Sequence, residues 1–152
     1  MKSFFIFCLF FSMAAHAGLI QRPFVTDGCT DWVNGTKTQP NLWLHCCVEH
    51  DLHFWAGGTK EMRDTADLRL RDCVSETGAK TEAIIMYWGV RLGSISPIKY
   101  SSMAWGNAWI KTGYETLSPA QVEAIEADLP HYDLPEEMKQ GLVDALSVNQ
   151  DR

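Results

Sequence analysis

The chain has 152 residues, is 46% apolar and 21% charged, and carries a formal net charge of -6. An acidic surface of this kind argues against nucleic acid, and against adsorption to anionic lipid by charge alone, so any membrane contact has to be apolar or aromatic. Beyond the first seventeen residues no apolar run approaches spanning length, and there is no internal repeat or low-complexity tract.

The N-terminus reads as a secretory leader. Lys2 supplies a positive start, Phe4 to Met13 is almost wholly apolar, and Ala15-His16-Ala17 puts small residues at the two positions a signal peptidase reads. Cleavage after Ala17 leaves 135 of the 152 residues, the size of one domain spanning residues 18–148 plus a frayed tail, and loss of the single Lys2 takes the charge from -6 to -7. Cys8 leaves with the leader, so five cysteines become four: Cys29, Cys46, Cys47 and Cys73. An even number in a small exported chain reads as two disulfides in a secreted or periplasmic protein. Cys46 and Cys47 are poor partners for each other, because neighbours on a helix point about 100° apart. The pair therefore fastens its helix to two other segments.

Residues 18–41 have little helical periodicity and much turn chemistry, with Pro23, Asp27-Gly28, Asn34-Gly35 and Pro40. This is a long loop stapled through Cys29, and Asp27 and Asp31 flank the staple. From Asn41, read as an N-cap, the period changes: Trp43, Cys46, Cys47, His50 and Phe54 form one stripe of an amphipathic helix that ends at Gly57-Gly58. Thr59 caps a second helix over residues 60–77, with Met62, Ala66, Leu70, Cys73 and Val74 inward and Gly78 at its end. Arg63, Asp64, Arg69, Arg71 and Asp72 read as its solvated face, while Asp67 borders the buried stripe. A short connection makes the two helices antiparallel neighbours. His50 and Asp67 then lie at similar distances from the turn, within reach of an imidazole–carboxylate contact, and Cys46 and Cys73 are able to meet one level further along.

Residues 81–92 contain EAIIMYWGVRL, which predicts a third helix buried on more than one side, with Arg91 a lone charge and Gly93 and Pro97 as breakers. The segment from Tyr100 to Tyr114 places Trp105 and Trp109 at i, i+4. It reads first as a core-covering segment; the alternative is an aromatic rim facing lipid, since indole rings suit the boundary between acyl chains and water. Ser118-Pro119-Ala120-Gln121 is a capping box that starts a helix running to Asp128, where Pro130 stops it. Pro135 opens a last amphipathic helix through Met138, Leu142, Val143 and Leu146, and residues 149–152 are expected to fray.

CCVEHD, the aromatic Phe54 and an aspartate in ADLRLRDC one helix later resemble the phospholipase A2 superfamily, most closely its compact bacterial members. The likeness runs from Cys29 to Cys73, roughly a third of the mature chain. It implies a mainly α, disulfide-stapled fold with two long antiparallel helices, to which residues 79–148 add a helical C-terminal region. It implies His50 as general base, Asp67 as the carboxylate that orients it, and disulfides Cys29–Cys47 and Cys46–Cys73. Calcium would be held by Asp51 with Gly28, Thr30 and Asp31 of the Cys29 loop. In that loop the family's glycine-rich run is replaced by Asp27-Gly28-Cys29-Thr30-Asp31-Trp32, where Asp27 or Asp31 can supply a compensating carboxylate. The implied activity is hydrolysis of a glycerophospholipid acyl ester by water. A histidine is suited to deprotonate that water near neutral pH, a paired aspartate to stabilise the imidazolium, and calcium to hold the oxyanion.

Other readings of the same residues stand beside this one. A histidine on an apolar helix face is often a satisfied core residue, and His45, Cys46, Cys47, His50 and His53 crowd zinc-ligand types into nine positions. An oxidising compartment favours disulfides over thiolates, which leaves His45 and His53 as surface or packing residues. The functional alternatives are a non-catalytic lipid- or protein-binding module on the same fold and a structural envelope protein.

Overall fold

A computed structural model describes residues 19–93 and 104–148. The leader with Cys8, the break at Pro97, the start of the aromatic segment at Tyr100 and the tail from Asn149 lie outside these described residues. The described residues form five helices and no strand: α1 (Leu44–Ala56), α2 (Lys60–Glu76), α3 (Lys80–Gly93), α4 (Pro119–Asp128) and α5 (Glu136–Val148), with a short 3-10 turn (Leu129–His131) after α4. No described helix is long and apolar enough to cross a membrane.

Helix α1 starts later than the turn chemistry predicts. Asn41 is not its N-cap; the cap position falls to Trp43, which makes no side-chain cap bond. The cause is that Trp43 is committed to the preceding loop. Its indole donates to the Val33 carbonyl at 2.7 Å and its backbone N–H donates to the Asn34 carbonyl at 3.0 Å. Residues 39–43 therefore approach the helix as successive turns, and Asn41 stays exposed. Helix α2 begins as expected, with the Thr59 hydroxyl accepting from the Met62 N–H. The capping box at Ser118 and Gln121 is fully formed.

Two disulfides join Cys29 to Cys47 and Cys46 to Cys73, the pairing implied by the family likeness. Cys46–Cys73 spans α1 and α2 with a Cα separation of 5.7 Å, and His50 meets Asp67 nearer the turn, so the two helices run antiparallel. Both bonds are what an oxidising compartment permits. They sit in an apolar cluster with Trp43, Leu70, Val74 and Met86. A second cluster gathers the other end of α1, at Leu52 and Trp55, against Ile125, Leu129, Leu142 and Leu146 from the C-terminal helices. Helix α1 thus belongs to both clusters and is held along its whole length.

Residues 104–109 cover the core, as their first reading expects, and do not form the lipid-facing rim. Trp105 and Trp109 are 4% and 5% exposed, so they are core residues. Their indole N–H groups donate to the Gly58 and Ala56 carbonyls, and the Gly106 and Ala108 N–H groups donate to the Phe54 and Trp55 carbonyls. The Phe54, Trp55 and Ala56 carbonyls are ones that the end of a helix leaves without partners, so the segment caps α1. The approach is close enough that a Cβ on Gly57 would lie 2.5 Å from the Gly106 Cα. Both glycines have positive φ, at 79° and 74°. Glycine is required at Gly57 for space as well as for backbone conformation.

Helix α3 departs from expectation in the opposite direction. Of its apolar residues only Ala83 and Met86 are buried, and Ile84, Ile85, Trp88 and Leu92 are 47–59% exposed. It packs on α2 through one narrow stripe, and no described residue covers its other face.

Candidate active site

His50 and Asp67 project toward each other from facing turns of α1 and α2. The His50 Nε2 lies 2.8 Å from the Asp67 Oδ1, and the residues are 8% and 0% exposed. A carboxylate accepts only, so in the neutral ring Nε2 carries the proton and Nδ1 keeps its lone pair. Nδ1 makes no hydrogen bond to a described residue. The Phe54 ring, one turn along α1, packs against the imidazole at a centroid distance of 4.9 Å. An imidazole, a carboxylate and an apolar wall are therefore assembled from the i, i+4 geometry of α1 and one contact across the helix pair.

The solvated-face reading of α2 holds for the exposed Arg69 and Asp72 and fails at Arg63. It is 5% exposed and lies on the buried stripe with Ala66, Asp67 and Leu70. Its guanidinium sits over the Phe54 ring at 4.7 Å and donates to the Tyr114 hydroxyl at 2.8 Å. The spacing of 63, 66, 67, 70 and 74 is itself a helical stripe, so a signal was present. Arg91 is not a lone charge: it reaches across from α3 to bond Asp64 and Asp67. Nothing local in the sequence announces that contact.

Asp51 turns away from the dyad toward the Cys29 loop. The Thr26 hydroxyl donates to its Oδ2 at 2.6 Å. Burial, with a further push from the charge of Asp27, raises its pKa from 3.8 to about 6 despite the Thr26 bond and nearby His50. Of the two loop carboxylates it is thus Asp27 that acts on Asp51. Asp27 is tied to the loop by the Thr30 hydroxyl at 2.7 Å, and the Gly28 carbonyl accepts the Thr30 N–H. Asp31 holds a left-handed backbone at φ 57° and lies with Trp32 and Val33 beside a shallow depression. The donors around Asp51 are hard oxygens, and a divalent cation there would relieve both burial of a negative charge and its repulsion by Asp27. The residues fit calcium in that chemical sense.

Comparison with known protein families, with curated proteins and with solved structures gives no match.

Zinc does not suit the cysteine-rich stretch. His45, Cys46 and Cys73 offer ligand atoms within 4.8 Å of one another, but both sulfurs belong to one disulfide, and Cys47 belongs to the other. No thiolate remains to bind the ion. His53 is a buried packing residue whose Nε2 accepts from Arg69, and burial and the Arg69 charge lower its pKa to about 3.

Two groups near the dyad thus shift in opposite directions. The native pKa of His53 is below its unfolded value, so its contribution to stability is lost as pH falls from 6.5 toward 3. The native pKa of Asp51 is above its unfolded value, so its contribution grows as pH falls from about 6 toward 3.8. Each slope is about 1.4 kcal/mol per pH unit, and in the shared window they oppose. In urea unfolding with chelator present, the gap between parent and Asp51→Asn is expected to change by about 2 kcal/mol between pH 6 and 4, in favour of the parent at low pH. His53→Gln is expected to shift the other way, becoming relatively more stable than the parent on acidification. Differences that stay flat with pH would remove both assignments.

Proposed function

We propose that the chain is an exported hydrolase of glycerophospholipid acyl esters on a phospholipase A2-like fold. The observation that carries this reading is the His50–Asp67 pair, buried between disulfide-locked helices with Nδ1 left free to take a proton. In the proposed reaction His50 Nδ1 removes a proton from water as the water oxygen attacks the ester carbonyl carbon. Asp67 steadies the imidazolium through Nε2–H. When the tetrahedral intermediate collapses, the same proton passes to the departing glycerol oxygen, giving a free fatty acid and a lysophospholipid. Asp51, Asp27, Thr26 and the backbone at Gly28 and Thr30 are the groups that would hold calcium. Bound there, the ion supplies a positive charge for the ester oxyanion.

The apolar route to lipid runs through α3 in this reading, since Trp105 and Trp109 are buried. Ile84, Ile85, Trp88 and Leu92 make a stripe on a helix whose Arg91 also touches Asp67. Burying the half-exposed Trp88 in a bilayer surface is worth about 1 kcal/mol. Trp88→Ala is therefore expected to weaken partitioning onto zwitterionic vesicles about fivefold in a sedimentation assay. Unchanged partitioning would take α3 out of the lipid contact.

Calcium dependence tests the reaction itself. Fatty-acid release from phospholipid vesicles is expected in calcium and should fall to background in chelator and in Asp51→Asn. Release that ignores both would keep His50 and discard Asp51 as a ligand. Vesicle binding without release would favour the non-catalytic module.

A further inference from the structure

The two oxygens of Asp67 have separate partners. Oδ1 faces His50, while Oδ2 lies 3.1 Å from the Arg91 Nη1 and 3.8 Å from the Arg63 Nε. That Nε is itself buried without a hydrogen-bond partner, so Arg63 offers Oδ2 its charge but no directed bond. Its other nitrogens are taken by the Tyr114 hydroxyl and the Val90 carbonyl. Arg91 is the group that makes the directed bond. It is also shared with Asp64, whose other oxygen takes Lys60.

We infer that Arg91 is a positioning residue for the hydrolysis: by holding Oδ2 it keeps Oδ1 of Asp67 on the His50 Nε2–H, and so keeps the lone pair at Nδ1. A carboxylate is nearly two-fold symmetric about its terminal torsion, so one hydrogen bond to imidazole does not fix its plane. A second bond to the other oxygen does. Both bonds leave one nitrogen, Nη1, whose two N–H groups serve Asp64 and Asp67 together, so a lysine ammonium at this position can stand in for it in large part. Asp64 in turn balances Arg91. The arrangement makes α3 part of the catalytic support, although it supplies no group that touches substrate.

This inference rests on the hydrolase reading for its kinetic arm, and on no activity for its spectroscopic one. Arg91 is 30% exposed, so Arg91→Gln and Arg91→Lys are mild changes to the fold, to be checked by helical circular dichroism. Nitrogen-15 spectra of histidine-labelled protein at about pH 8, with His50 assigned by its loss in His50→Gln, report the neutral tautomer directly. The parent is expected to show Nε2–H alone. Arg91→Gln should show a mixture of tautomers and a kcat lowered about tenfold with KM within about twofold, while Arg91→Lys recovers most of both. A pure Nε2–H tautomer in Arg91→Gln would overturn the inference. So would an unchanged kcat with raised KM, which would make Arg91 a substrate-binding group. If the parent hydrolyses nothing, the hydrolase reading fails while the tautomer spectra still decide the role of Arg91.

Discussion

Replacing His50 with glutamine is expected to lower phospholipid hydrolysis by about three orders of magnitude, within the range a positioned general base contributes. The amide keeps a donor that can reach Asp67 and roughly the same volume, but it has no nitrogen lone pair to take a proton from water. Binding to vesicles should be retained, since His50 is 8% exposed and contributes no lipid-facing surface. Asp67→Asn is the informative companion. It leaves a neutral group against Arg91 and Arg63 and removes the charge that stabilises the imidazolium, so turnover should fall while helix content holds. Initial-rate assays on vesicles with both variants check this, and a His50→Gln protein retaining a tenth or more of parental activity would remove His50 as base.

The second large effect concerns the staple behind the dyad. Opening Cys46–Cys73 by a double substitution to alanine releases a constraint across a sequence separation of 27 residues, worth about 3.5 kcal/mol in the chain-entropy description. The bond lies one helical turn beyond His50 on α1, so its loss should also loosen the contact with Asp67. Urea denaturation is expected to show a lower midpoint, and hydrolysis should fall with it. Opening Cys29–Cys47, with a separation of 18 residues, should cost about as much stability but act on the Asp51 side of α1. A midpoint unmoved by loss of Cys46–Cys73 would mean that packing alone sets the helix pair.

What could be read from the residues was what local physics decides. The stripe through Cys46, Cys47, His50 and Phe54, the Thr59 cap, the Gly57-Gly58 turn and the Ser118 capping box all depend on neighbours within a few positions. From those came a pair of antiparallel helices, and with them the contact between His50 and Asp67. The rest is decided where distant segments dock. Trp105 and Trp109 look alike as interface residues or core residues until the C-terminal carbonyls of α1 are found to need donors. EAIIMYWGVRL looks like a buried helix until only a narrow stripe of it finds α2. Arg91 touches Asp67 across 24 residues, a contact no period predicts. Arg63 is different, because its place on the stripe of Asp67 was legible and its charge masked it. The part of the site that depends on an ion rests on the Cys29 loop, where Thr26, a residue with no motif to mark it, makes the direct bond to Asp51.

In the proposed reaction the His50–Asp67 pair activates water against a phospholipid ester. The measurement that tests it most directly is fatty acid released from mixed phospholipid vesicles by the mature protein, set against the His50→Gln baseline across divalent ions. Release in calcium that stands well above that baseline is the predicted result. Release no greater than the baseline under every ion would contradict it.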